Sequence, residues 1–366
     1  MSKRLVLCCD GTWNTPDQLS PTNVTKIALA IAPEDHNSLE QRAFYHLGVG
    51  TNRWERIRGG AFGFGLSRDV RDVYRFLVQN FEPGDELFFF GFSRGAFTAR
   101  STAGFVRNCG ILRKEFADRV DEAYALYRNR SSTTRPRSVE ATLFRHSYSH
   151  ETRIRFIGVF DTVGALGIPL DGMRLVNLLN RRWQFHDTDL SSTVDAAFQA
   201  LAIDEKRGPF QPALWKRSTD SPNADGQQLE QVWFTGVHSD VGGGYPQREL
   251  SDISLLWMVD RAAGSGLAFL DDAFDHRPDG AAAPSEEDET LRERTYVHPD
   301  PLGQLHESRK GLYLAIPPFV RRLGVTDEAH EAVASSAVER HKQVRTYAPS
   351  GLVEYLEQQP RITAVE

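Results

Sequence analysis

The sequence predicts an α/β fold: a mainly parallel central sheet with helices on both faces. Three observations predict it. Short apolar runs alternate with helix-like stretches along the chain. The runs are apolar at successive positions, as strands covered on both faces require. Each ends in a polar or glycine turn, at Asp10-Gly11, Gly91, Asp161 and His238. A chain of 366 residues buries a sizeable core without staples.

The first strand is Leu5 to Cys9, ending at Asp10-Gly11-Thr12. Residues 42–47 make a second, followed by Gly48 and Gly50. Residues 48–65 are glycine-rich and predict a long loop over the site, and 66–81 predict a helix. Glu86 to Phe90 is the most apolar strand, and Ser93 to about Cys109 the helix after it. Residues 129–151, rich in Ser, Thr and Arg with Pro136, predict a surface connection. Arg153 to Phe160 is a strand ending at Asp161, and Val232 to Val237 one ending at His238. Between them, 164–185 would carry Met173, Val176 and Leu179 on one helical face, over the sheet edge. Residues 275–295, polar with two prolines, predict a mobile linker. Pro317-Pro318 and a helical stretch near 327–345 follow. The expected organisation is a main domain over 1–270, with cap insertions at about 112–150 and 164–230. Residues 271–366 would be the linker and an accessory layer on the same domain.

The net charge of −6 argues against non-specific nucleic-acid binding, which needs a positive surface. Cys8 and Cys9 are strand neighbours facing opposite ways, and with Cys109 they complete the cysteines. That predicts no disulfide scaffold, no metal-type cysteine spacing and a reducing compartment. The apolar stretch after Lys3-Arg4 is too short for a signal-peptide core. No run approaches the ~20 apolar residues that span a bilayer. The expectation is a cytoplasmic protein, with export by a specialised system left open.

Gly91-Phe92-Ser93-Arg94-Gly95 fits G-x-S-x-G between an apolar strand and a helix. In a nucleophile elbow the strand turns sharply into the helix, the glycines make room, and the serine oxygen is exposed at the turn. Serine needs a base beside it. His238, before Gly242-Gly243-Gly244, is the candidate; a metal held by His238 and Asp240 is the weaker alternative. The acid that orients the imidazole is expected at Asp161, at a strand's C-terminal end. Asp240 and Asp204, the latter placed near a helix C-terminus, compete with it. One oxyanion donor should be the N–H of Arg94. The second is expected from the loop after the first strand, at Gly11 or Thr12, with Asp10 bracing that turn. Asp10-Gly11-Thr12 also fits aspartyl phosphatases, but they carry another Asp two residues earlier, where this chain has Cys8. The glycine-rich stretch lacks the G-K-[ST] ending of a phosphate loop.

The segments LVLCCDGTWN, NVTKIA, GVGTN, GFSRGAFTAR, GVFDTVGALG, ALAIDEKRGPF and WFTGVHSDVGGGY occur in this order. They resemble an α/β-hydrolase family long labelled as a domain of unknown function. That family is also the catalytic domain of the first class of type VI secretion lipase effectors. The resemblance covers roughly residues 4–260. It implies an α/β-hydrolase fold and a Ser–Asp–His triad, carried onto Ser93, Asp161 and His238. It also implies cleavage of ester-linked acyl chains of membrane lipids. The reading as a whole expects an ester hydrolase that needs no cofactor and touches membranes transiently; the alternatives are a small-ester, thioester or polyester hydrolase, or a non-catalytic binding module on the same fold. The effectors carry a long C-terminal extension that anchors to membranes, and this chain is expected to lack one.

Overall fold

Leu5, Val6, Leu7, Cys8 and Cys9 are apolar in succession, so this strand needs cover on both faces. It obtains that cover as an interior strand of the sheet, flanked on both sides. The computed structural model describes residues 2–11, 20–47, 62–129, 131–163, 189–217, 226–276, 294–326, 329–358 and 360–365. Strand β1 (Arg4–Cys9) lies between β2 (Gln41–His46) and β3 (Glu86–Phe92). Two short antiparallel strands, β4 (Ile111–Leu112) and β5 (Ser149–His150), pair apart from it. The main sheet continues through β6 (Ile154–Phe160), β7 (Val194–Ala202), β8 (Gln228–Phe234), β9 (Glu331–Ala334) and β10 (Ile362–Thr363). The order is β10-β9-β8-β7-β6-β3-β1-β2, with every pairing parallel.

Helices cover both faces. On one lie α2 (Phe62–Asn80), α3 (Arg94–Cys109), α4 (Val120–Arg128) and α5 (Val139–Tyr148), burying Tyr74, Phe105, Tyr127 and Phe144. On the other lie α1 (Asn23–Ala30) and, after the short α6 (His238–Gly242), α7 (Glu249–Gly264), with Val24 and Ile27 buried beside Trp257 and Met258. Cys9 joins the first layer and Cys8 the second, the two-faced arrangement of an interior strand.

Three expectations are corrected. The connection at 129–151 contains α5 and β5. Ser138 starts that helix, its side chain accepting the Ala141 N–H at 3.2 Å. The insertion expected over 164–230 is interrupted by β7, a central strand. Its alanines favour helix locally, but small residues fit where Phe156, Phe198 and Trp257 crowd the sheet. Asp204 therefore follows a strand, not a helix. The C-terminal region does more than layer on the sheet: it also extends it through β9 and β10. Helices α8 (Ser335–Gln343) and α9 (Ser350–Leu356) then pack Ala337 and Leu352 on Trp233 and Leu201. Most of the glycine-rich loop, the apolar segment within 164–185, the 277–293 part of the linker and Thr12 lie outside the described residues. No helix among the described residues is long and apolar enough to cross a membrane.

Candidate active site

Parallel strands direct their C-terminal ends to one edge, where sites form. Asp10 follows β1, Ser93 follows β3 and Asp161 follows β6, three adjacent strands. His238 opens a helical turn, α6 (His238–Gly242), shortly after β8. The strand expected up to Val237 ends at Phe234 instead.

Ser93 sits between β3 and α3 at φ 58°, ψ −118°. That backbone is rarely adopted by a residue with a side chain. Among the described residues four non-glycine positions have positive φ, and two of them are Ser93 and Asp161. Strain therefore gathers at this edge. The Ser93 N–H donates to Phe160 O at 3.1 Å, tying the turn to the end of β6. The flanking glycines are steric necessities. A Cβ at Gly91 would stand 2.6 Å from Ala96 Cα, and one at Gly95 would stand 2.0 Å from Cys9 O. The first turn of α3 thus lies directly on the end of β1. Gly95→Ala should destabilise the protein by about 1–3 kcal/mol, because helix or strand must give way. A thermal melt checks this, and an unchanged melting temperature contradicts the packing described.

His238 is buried, its ring flanked by Phe92 at 4.6 Å and Phe210 at 5.0 Å between centroids. Gly242 permits this, since a Cβ there would enter the Phe92 ring at 2.0 Å. His238 Nδ1 lies 2.6 Å from Asp161 Oδ2. Asp161 is wholly buried and also accepts the Ala202 N–H, at 3.1 Å, and two guanidinium N–H groups of Arg321, at 2.5 and 3.0 Å. Burial alone would raise its pKa. The Arg321 charge and the His238 hydrogen bond outweigh burial and hold it well below the ordinary carboxylate value.

The competing acids are engaged elsewhere. Asp240 Oδ1 pairs with His306 Nδ1 at 2.6 Å, and Asp240 Oδ2 accepts the Val237 N–H at 3.0 Å. Asp204 accepts the Gly236 N–H at 2.7 Å and the Tyr347 hydroxyl at 2.9 Å. Both acids brace the turn carrying the histidine.

Asp10 is buried and accepts from the hydroxyls of Thr22 (2.5 Å), Tyr45 (2.6 Å) and Thr25 (2.9 Å). It also accepts the Gly11 N–H at 2.6 Å. The Gly11 donor nominated from the sequence is thus already engaged, because its own neighbour's carboxylate turns back onto it. Asn23 Nδ2 donates to Val241 O at 3.0 Å and Ser251 O at 2.9 Å, joining this turn to the histidine turn. Sequence reasoning missed Arg321, Asn23, Phe210 and Glu205, whose Oε2 accepts the His238 N–H at 3.3 Å. Phe210 and Glu205 lie in the quoted ALAIDEKRGPF segment and Asn23 in NVTKIA, the only signal they gave.

A parallel sheet wrapped by helices, with its polar residues gathered at the strand ends, makes this an α/β-hydrolase-like protein. Residues 3–261 match the model for the catalytic domain of the type VI secretion system phospholipase effector Tle1-like proteins, and the chain belongs to that family. An uncharacterized protein of Saccharomyces cerevisiae is 30% identical over 230 residues, 57% of this chain and 32% of that protein. Among solved structures, an uncharacterized protein from Pseudomonas aeruginosa covers 81% of this chain at 18% identity and TM-score 0.45. The Tle1 effector bound to the VgrG spike of the type 6 secretion system covers 68% at 20% identity and TM-score 0.36. This chain spans 49% and 52% of those two structures.

Proposed function

We propose that the protein is a serine hydrolase that cleaves carboxylic esters of lipids through an acyl-enzyme. The observation that carries this reading is the buried His238–Asp161 hydrogen bond of 2.6 Å on the strand edge that holds Ser93. Family membership supports a lipid ester as substrate.

In this mechanism the strand–turn–helix at Ser93 is a nucleophile elbow. Ser93 Oγ attacks the ester carbonyl carbon. His238, with Nδ1 committed to Asp161, takes the serine proton on Nε2. Asp161 keeps the imidazole oriented and stabilises the imidazolium. The tetrahedral oxyanion is held by the Arg94 N–H, the first turn of α3 adding its dipole. A second donor is expected from the turn after β1, where the Gly11 N–H is itself engaged by Asp10. Each such donor contributes ~3 kcal/mol to the transition state. His238 then protonates the leaving alcohol, and water activated by the same nitrogen releases the acid.

A panel of p-nitrophenyl esters of rising chain length, alongside phospholipids and lysophospholipids, tests the assignment. The account expects release of fatty acid from lipids and a preference for long chains. Turnover confined to acetate esters would overturn the lipid assignment. No turnover of any ester would overturn the hydrolase assignment.

A further inference from the structure

We propose that Arg321 is a positioning residue for the reaction, a clamp from the C-terminal segment that fixes the Asp161 carboxylate behind His238. The inference rests on the hydrolase reading above. It adds that residues beyond the family match at 3–261 complete the site.

The geometry is that of a built clamp. Arg321 Nη1 donates to Asp161 Oδ1 at 2.5 Å and Nη2 to Oδ2 at 3.0 Å. Both side chains are 0% exposed. The same two nitrogens donate to Ala202 O at 2.8 Å and Phe210 O at 2.5 Å. The guanidinium therefore joins the carboxylate to the end of β7 and to the residue whose ring packs on His238. A planar fork with several donors suits this task; an ammonium does not. The backbone of Arg321 is itself held, since Gly351 in α9 packs so closely that a Cβ there would stand 2.0 Å from Arg321 O. Other C-terminal residues brace the same edge: His306 on Asp240, Ser308 on Glu205 at 2.9 Å and Tyr347 on Asp204.

Two consequences follow for the chemistry. Asp161 cannot rotate, because both oxygens are spoken for. It also remains an anion while His238 changes charge. The clamp has an opposing effect, since its positive charge disfavours an extra proton on the His238–Asp161 pair. Among the described residues, the charged groups bonded to this pair are Arg321 on the Asp161 side and Glu205 at the His238 N–H. Glu205 is itself paired with Arg207 at 2.8 Å. Removing the guanidinium charge makes the pair hold its proton to higher pH, whichever member carries it.

The test is the pH dependence of fluorophosphonate labelling of the full chain, for wild type, Arg321→Met and Arg321→Lys. The account expects Arg321→Met to move the acid limb upward by about one pH unit and to lower the plateau rate at least tenfold. Arg321→Lys should lower the plateau while leaving the limb in place, because it keeps the charge and loses the fork. A wild-type plateau in either variant overturns the proposal. So does an unmoved limb in an Arg321→Met protein with native near-ultraviolet circular dichroism, which leaves Arg321 a structural role only. If Arg321→Met does not fold, Arg321→Lys decides by the same plateau and limb. A wild-type chain that takes no label overturns the hydrolase reading itself, an outcome distinct from these.

Discussion

Ser93→Ala should lower ester turnover by roughly four to six orders of magnitude, as losing the nucleophile of a covalent mechanism does. Its fold should be untouched. The Ser93 side chain makes no capping bond to the first turn of α3, so removing the hydroxyl leaves no orphaned partner there. The melting temperature should change by no more than ~0.5 kcal/mol would produce. Ser93→Gly sharpens the argument. Glycine adopts φ 58° without the cost that a Cβ imposes, about 1 kcal/mol. That variant should melt higher than wild type while being equally inactive. Kinetics and melts on the two variants check both halves. Turnover within tenfold of wild type in either would remove Ser93 from the chemistry.

Asp161→Asn should cost about 10⁴ in turnover, because the imidazole loses the anion that fixes its tautomer. Here it should also cost about 3–5 kcal/mol of stability, since it leaves a buried guanidinium uncompensated. The carboxylate accepts from His238, Ala202 and both Arg321 nitrogens. An amide offers one oxygen, and its NH₂ must face a donor on the other side. The folded pKa of Asp161 lies below its ordinary value. Its stabilisation is therefore present above about pH 4 and lost as pH falls. The stability gap between wild type and variant should narrow in acid. Asp240→Asn should lose far less turnover, since an amide oxygen still accepts the Val237 N–H and only the His306 pairing weakens. If the two variants rank the other way in parallel assays, the acid belongs to the histidine turn.

The interior strands were legible because burial on both faces imposes unbroken apolar runs, as at Leu5–Cys9 and Glu86–Phe90. Ser93 and Asp161 were legible because each ends such a run. Strand β7 was not, because alanine carries a local helix preference and only the crowd of aromatic rings around it explains alanine there. Helix α5 carried a signal that was passed over, Ser138 in a capping position before Val139 and Leu143. Arg321 carried none. It stands in an ordinary Arg-Arg pair after two prolines, and only the docking of its segment beside the end of β7, with the Phe319 N–H on Lys206 O at 2.8 Å, brings it to Asp161. Glu331 is similar. It begins a four-residue strand and is buried to accept from Trp233 Nε1 at 3.0 Å, a contact between residues far apart in sequence.

The most direct test of the account is to map the covalent adduct of a fluorophosphonate probe on the full chain by intact mass and peptide sequencing. The account predicts one adduct per chain, on Ser93, with labelling slowed by orders of magnitude in His238→Ala and Asp161→Asn. An adduct on another residue, or labelling of Ser93 that proceeds at the wild-type rate in both variants, would contradict it.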